Sequence, residues 1–260
     1  MKKTLFILTI TFILAASCIL FPSCESTEPR PFPTPPSEQK ESEAKEPVTT
    51  NAPEPGPSPE PIYEPEPIEF GGSGDDVSPK FTLEPGITII TMTHSGKSNF
   101  SIELLDSSGE TAELLVNEIG NFRGRIAIGV RDDNIIGAKP GVHLLNITAD
   151  GNWTVLIEQP RTTTANTLPL RISGSGCNAS PFFALKGGLT TFDITHHGES
   201  NFVITLLSVD GQIAELLANE IGNYSGKQAI GVKQGNIIGA KPGEHILSII
   251  ADGDWTVSIN

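Results

Sequence analysis

Basic residues are scarce in this chain. Seventeen Lys and Arg face 31 Asp and Glu, for a formal charge of −14. No basic patch forms anywhere, so nucleic acid is excluded as a partner and an anionic membrane surface would not attract the chain. Cysteine is almost absent: Cys18 and Cys24 fall in or beside an N-terminal apolar run, and Cys177 is left without an obvious partner. That excludes a disulfide framework. Aromatics make up 6% and are mostly Phe, so a core must come from Ile, Leu, Val and Phe. No segment carries a long helical period. No Gly-x-Ser-x-Gly elbow has suitable flanks, because Gly72-Ser73-Gly74 and Gly174-Ser175-Gly176 read as loops at domain starts. No catalytic residue and no cofactor is expected.

What is present begins with an address. Met1-Lys2-Lys3 is a short basic stretch, and Leu5 to Phe21 is apolar, as in a bacterial secretory signal. Leu20-Phe21-Pro22-Ser23-Cys24 resembles a lipobox, the motif at which lipoprotein signals are cut and the new N-terminal Cys acylated. Cleavage there leaves polar Glu25-Ser26-Thr27 at the start of the mature chain. The alternative is Leu14-Ala15-Ala16-Ser17-Cys18, whose small residues fit but whose cleavage leaves Ile19-Leu20-Phe21 exposed. Two or more acyl chains would hold the protein stably to a membrane.

Residues 24–69 read as a disordered stalk after a signal peptide of residues 1–23. Glu25 to Glu69 holds 13 Pro and 11 Glu against Arg30, Lys40 and Lys45. Proline removes amide donors and fixes φ, like charges repel, and few side chains can be buried. Extended at about 3.1 Å per residue, the stalk reaches roughly 100 Å or more.

Beyond it the sequence repeats. Residues 70–158 match 172–260 at a constant offset of 102, with about 50 positions identical; the first repeat spans 70–159 and residues 160–171 form the linker. Asn117 to Trp153 and Asn219 to Trp255 are the most similar stretches. Each copy reads as short strands and turns. Phe100, Ile102 and Leu104 alternate onto one buried face. Ser95-Gly96, Asp106 to Gly109, Asp132 to Asn134, Lys139-Pro140-Gly141 and Asp150-Gly151 are turns. Residues 112–119 and 214–221 are read as strands, with a short helix as the alternative. The fold class is all-β: two tandem antiparallel β-sandwiches, jelly-roll-like.

The stretches Thr93-His94-Ser95-Gly96-Lys97-Ser98-Asn99-Phe100 and Ala149-Asp150-Gly151-Asn152-Trp153-Thr154-Val155 occur in both copies, the second time as 195–202 and 251–257. They resemble small jelly-roll accessory domains of secreted bacterial and archaeal proteins, and more loosely the pre-peptidase C-terminal domains carried by secreted hydrolases. The resemblance implies an accessory module and not a catalyst.

Candidate chemistry is sparse. His94 and His143, with His196 and His245, could approach each other only if their strands were neighbours, and no His-x-His or His-x-x-x-His spacing supports zinc. Asp132, Asp133 and Asn134 offer calcium three oxygens in one turn, but the second copy has Gln234-Gly235-Asn236 there. Glu113 and Glu118, with Glu215 and Glu220, are acids kept in both copies; Glu113 points opposite to its apolar neighbours, as on a solvated face. Trp153 and Trp255, with Phe122 and Tyr224, are the aromatic residues that could contact a ligand such as a sugar. The reading is an extracytoplasmic lipoprotein, anchored to a bacterial cell membrane, that displays two non-catalytic interaction modules to a glycan or an envelope protein. The alternative is an accessory, carbohydrate-binding module of a secreted hydrolase system.

Overall fold

Strict alternation of apolar and polar side chains makes a strand with one dry face, and two such faces must close on each other. The protein does this twice. A computed structural model describes residues 63–161 and 164–260; Cys18, Cys24, the signal segment and most of the stalk lie outside the described residues.

The first repeat contains β1 (Ile68–Ser73), β2 (Asp76–Val77), β3 (Phe81–Leu83), β4 (Gly86–Ser95), β5 (Asn99–Leu105), β6 (Thr111–Ile119), β7 (Phe122–Val130), β8 (Gly141–Thr148) and β9 (Asn152–Glu158). The second contains β10 (Leu170–Ser175), β11 (Asn178–Ala179), β12 (Phe183–Leu185), β13 (Gly188–His197), β14 (Asn201–Ser208), β15 (Ile213–Ile221), β16 (Tyr224–Val232), β17 (Gly243–Ile250) and β18 (Asp254–Ile259). One sheet of each repeat runs β1-β9-β4-β7 or β10-β18-β13-β16. The other runs β2-β8-β5-β6 or β11-β17-β14-β15, with β3 and β12 extending the edge beside β8 and β17. All strand pairs are antiparallel, and the alternation of strands between sheets is that of a jelly roll. Strands begin two residues earlier than the sequence boundaries imply, at Ile68 and Leu170.

Each sandwich has its own core. Ile90, Met92, Phe100, Ile102, Leu104, Leu145, Ile147, Trp153 and Val155 fill the first, and Phe192, Phe202, Ile204, Leu247, Trp255 and Val257 are among those that fill the second. Full burial of each such side chain contributes about 1.5–3 kcal/mol.

The segment 111–119 is a strand, not a helix, but it breaks its own alternation. Register shifts on β5 lie between Ile102 and Glu103 and between Leu104 and Leu105. After the shift, consecutive Leu115 and Val116 are both buried. A bulge inserts a residue and changes which face follows. Glu113 is accordingly half-buried instead of solvated.

A third cluster joins the repeats. Ile87, Ile89 and Ala127 of the first repeat pack on Ala179, Leu207 and Ile246 of the second, with Phe182 at the margin. Strand β7 is an outer strand of its sheet, and it turns two amides across the joint: Arg125 N donates to the Cys177 carbonyl at 3.1 Å, and Ala127 N to Ser248 Oγ at 3.1 Å. Arg131 Nη1 reaches Asp210 Oδ2 at 2.9 Å. The two contacting faces are not equivalent, so the joint is heterologous. The described residues accordingly form one unit with two cores.

Candidate functional site

The residues shared most closely by the two copies build a latch at one end of each sandwich. His94 closes strand β4 opposite Trp153 and Phe122. Its Nδ1 lies 2.7 Å from the Gly120 carbonyl, so Nδ1 donates. Nε2 then carries a proton only in the imidazolium form, and it faces Asp150 Oδ1 at 3.4 Å. Asp150 also accepts the amides of Lys97 and Ser98 at 2.9 and 3.0 Å, and these bonds hold its carboxyl below the ordinary value. The imidazole stacks on Phe100, centroid to centroid at 4.4 Å. A Cβ on Gly96 would fall 2.1 Å from Asp150 Oδ1, and one on Gly151 would fall 1.9 Å from the Ser95 carbonyl. The second repeat copies every part: His196 with the Gly222 carbonyl at 2.7 Å, Asp252 at 3.3 Å, and Phe202 at 4.2 Å. The repeated motif is therefore a tie between three turns, with a buried imidazole held against an exposed carboxylate.

Trp153 and Trp255 are core residues, each 3% exposed. Their indole N–H groups donate at 3.0 Å to the carbonyls of Gly74 and Gly176. A side chain on Gly72 or Gly174 would collide with the indole, whose nearest atom lies 2.5 Å from an added Cβ. Phe122 and Tyr224 are half-buried and tilt against Phe100 and Phe202 at 5.8 Å. In this arrangement no indole face opens to a ligand.

The other candidates do not converge either. His143 sits opposite Phe81 in the second sheet, at the end of the sandwich remote from His94. Its Nδ1 bonds the Gly141 carbonyl at 2.9 Å. Asp133 is held at 2.8 and 2.9 Å by the Arg131 guanidinium, which lowers its carboxyl. Asn134 turns its amide nitrogen to the carbonyls of Gly129 and Ala138 at 3.0 and 2.7 Å, clamping the turn. No group of three His, Cys, Asp or Glu able to hold a metal occurs among the described residues. Burial holds the carboxyls of Glu113 and Glu118 above their ordinary values; the nearby Asp252 adds to the effect at Glu118. Cys177 packs against the first core from the second repeat, and burial pushes its thiol up. It is a joint residue, and Asp75, at the equivalent position in the first copy, accepts the Ala149 amide at 2.9 Å instead.

Sequence reasoning missed the most exposed apolar feature. The loop before β8 carries Ile135 and Ile136, 97% and 83% exposed, and the loop before β17 carries Ile237 and Ile238, 88% and 87% exposed. Both lie in an identical stretch, Asn-Ile-Ile-Gly-Ala-Lys-Pro-Gly, at 134–141 and 236–243. The signal that could have found them is this identity at a turn, where two adjacent isoleucines cannot both alternate inward. Each tip is braced: Asn236 Nδ2 bonds the Ala240 carbonyl at 2.9 Å, as Asn134 does in the first repeat. Both loops are fastened to one turn of the second repeat. Arg131 reaches Asp210, while Gln212 Nε2 donates to the Ile237 carbonyl at 3.0 Å. The twin tips thus flank residues 210–212.

No protein-family model matches the chain, and no curated protein does. Among solved structures, a conserved protein of unknown function from Pseudomonas aeruginosa PAO1 is similar at 13% identity and a TM-score of 0.20, over 75% of this chain and 77% of that one. The PBSX exported protein XepA is similar at 10% identity and a TM-score of 0.23, over 74% and 86%. An oxalate decarboxylase structure follows at 8% identity and a TM-score of 0.15, over 69% and 67%.

Proposed function

We propose that the chain is a lipoprotein on the extracytoplasmic side of a bacterial cell membrane, whose paired jelly rolls act as a non-catalytic interaction module toward another envelope protein. The observation that carries the reading is the pair of isoleucine tips. A protein in water gains nothing from four aliphatic side chains held almost wholly in solvent, whereas a partner's apolar pocket would recover about 1.5–3 kcal/mol from each. Bracing by Asn134 and Asn236 reduces the entropy lost on docking. The stalk carries the module away from the bilayer, and Cys24, or Cys18 in the alternative, carries the lipid.

Two experiments test the reading. Labelled palmitate should enter the wild-type chain and the Cys18→Ser variant but not Cys24→Ser; labelling lost only in Cys18→Ser would move the anchor, and labelling in neither form would remove it. A photo-crosslinking side chain at Ile136 or Ile238 in cells should give a protein adduct of discrete mass that the same side chain at Ser107 does not. Adducts to lipid alone, or equal adducts at all three positions, would overturn the protein-partner reading.

The carbohydrate alternative is favoured by one observation. The outer face of the β10-β18-β13-β16 sheet holds an open polar trough lined by Arg171, Asp193, His197, Lys227, Thr256 and Ser258. In the first repeat the corresponding face is walled by Glu64–Pro67 and by Phe182. A glycan-array signal lost in Lys227→Ala would shift the function to sugar binding.

A further inference from the structure

The joint between the repeats uses one face of the first and a different face of the second. Among the described residues, each repeat therefore retains, unused, the face that its twin employs. On the second repeat the free face is centred on β16, an outer strand. Leu189 stands where Ile87 does and is 75% exposed, against 1% for Ile87. Ala229 stands where Ala127 does and is exposed, whereas Ala127 is 4% exposed. The amides of Lys227 and Ala229, equivalent to the two that cross the joint, have no such acceptor among the described residues. On the first repeat the complementary face is also open: Val77 is 55% exposed where Ala179 is 4% exposed, and Leu105 and Leu144 are half-buried where Leu207 and Ile246 are buried.

Glycine gives the sharpest indication. Gly129 sits in β7 because the turn of the other repeat touches it: a Cβ there would lie 1.8 Å from the Gly211 carbonyl. Gly231 is its counterpart in β16. It has no positive φ, and an added Cβ would meet nothing within 4 Å. A mid-strand glycine loses about 0.5–1 kcal/mol relative to alanine, and nothing among the described residues requires one at Gly231. Its reciprocal partner, Gly109, likewise has open space around it.

We propose that the β16 face of the second repeat docks on the β2–β8–β5 face of the first repeat of a second copy of this chain, reproducing the internal joint head to tail. The occupant is a second copy because the two free faces are the twins of two faces already bound to each other. The acceptors are in place. The Asp75 carbonyl stands for that of Cys177. Asn146 stands for Ser248, and its amide nitrogen already donates to Glu103 at 3.0 Å, which leaves its oxygen to accept. Lys227 and Asp75 bring opposite charges to positions that Arg125 and Cys177 occupy in the joint. Thr191 replaces Ile89 and Lys80 replaces Phe182, so the apolar area is smaller and the contact is weaker than the internal one. A heterologous contact of this kind need not close on itself, so it can extend to short chains of molecules. The inference does not depend on the isoleucine tips.

Sedimentation velocity of the full mature chain over a concentration series tests it. The weight-average sedimentation coefficient should rise with concentration. The rise should be lost in Gly231→Val and in Leu189→Asp, both at open positions that leave the fold intact, and kept when Ile136 and Ile238 are both changed to Ser. Monomer at every concentration would overturn the proposal. So would association that survives both β16 variants, or that disappears with the isoleucine tips instead.

Discussion

Gly129 and Gly211 meet backbone to backbone across the joint between the two jelly rolls, the absent Cβ of Gly129 leaving room for the Gly211 carbonyl. Alanine at Gly129 forces that contact apart, and overpacking of this sort costs about 1–3 kcal/mol. Gly129→Ala should therefore lower the thermal midpoint. Gly231→Ala, at the equivalent unopposed position, should leave it unchanged or raise it by up to about 1 kcal/mol of stability. Equal effects of the two changes in a melting experiment would show that the joint does not form as described.

The latch predicts a response to acid. Asp150 and Asp252 have carboxyls held below the ordinary value of 3.8, Asp150 by the amides of Lys97 and Ser98 and Asp252 by those of Glu199 and Ser200. A depressed carboxyl binds fewer protons folded than unfolded. Its contribution is full above 3.8 and is lost as pH falls through the folded value. The midpoint should drop below pH 3.8, and the double variant Asp150→Asn, Asp252→Asn should show a shallower drop from a lower starting point.

Glu113 has the opposite sign. Burial raises its carboxyl above the ordinary 4.5. The folded state then binds the proton more tightly, so stability is greatest below 4.5 and is lost as pH rises through the folded value. Glu113→Gln should raise the thermal midpoint at neutral pH and have little effect well below 4.5. A catalytic carboxylate would show a different signature, with Glu113→Gln abolishing turnover on a hydrolase panel.

The tryptophans offer an optical check. With both indoles in the cores, emission should be blue-shifted and resist quenching by iodide, and sugar ligands should leave it unchanged. Iodide quenching comparable to free tryptophan, or a shift on sugar addition, would place an indole on the surface.

Much of the architecture was legible because it is local. Period-two alternation around Phe100, Ile102 and Leu104 marks β5, and Asp150-Gly151 marks the β8–β9 turn. The repeated His94-to-Phe100 and Ala149-to-Val155 motifs flagged a shared structure, though not its purpose, since a His and a Trp read the same in a core as at a ligand. Glu113 was misplaced because the register shifts opposite β6 change its phase, and no pattern in 111–119 announces them. The joint could not be read from the repeat. Several of its residues differ between the copies, such as Ile89 with Thr191 and Phe182 with Lys80, while others, such as Ala127 with Ala229, are the same, so neither likeness nor difference marks the joint until the surfaces are paired. Cys177, standing where the first copy has Asp75, is one such difference.

The measurement that bears most directly on the account is a distance between the two isoleucine tips. Spin labels at Ile136 and Ile238, on loops both tied to residues 210–212, should give one narrow distance distribution if the twin jelly rolls form a single body. Gly129→Ala should broaden it. A broad distribution in the otherwise unaltered chain would contradict the joint, and with it the fixed presentation of the tips.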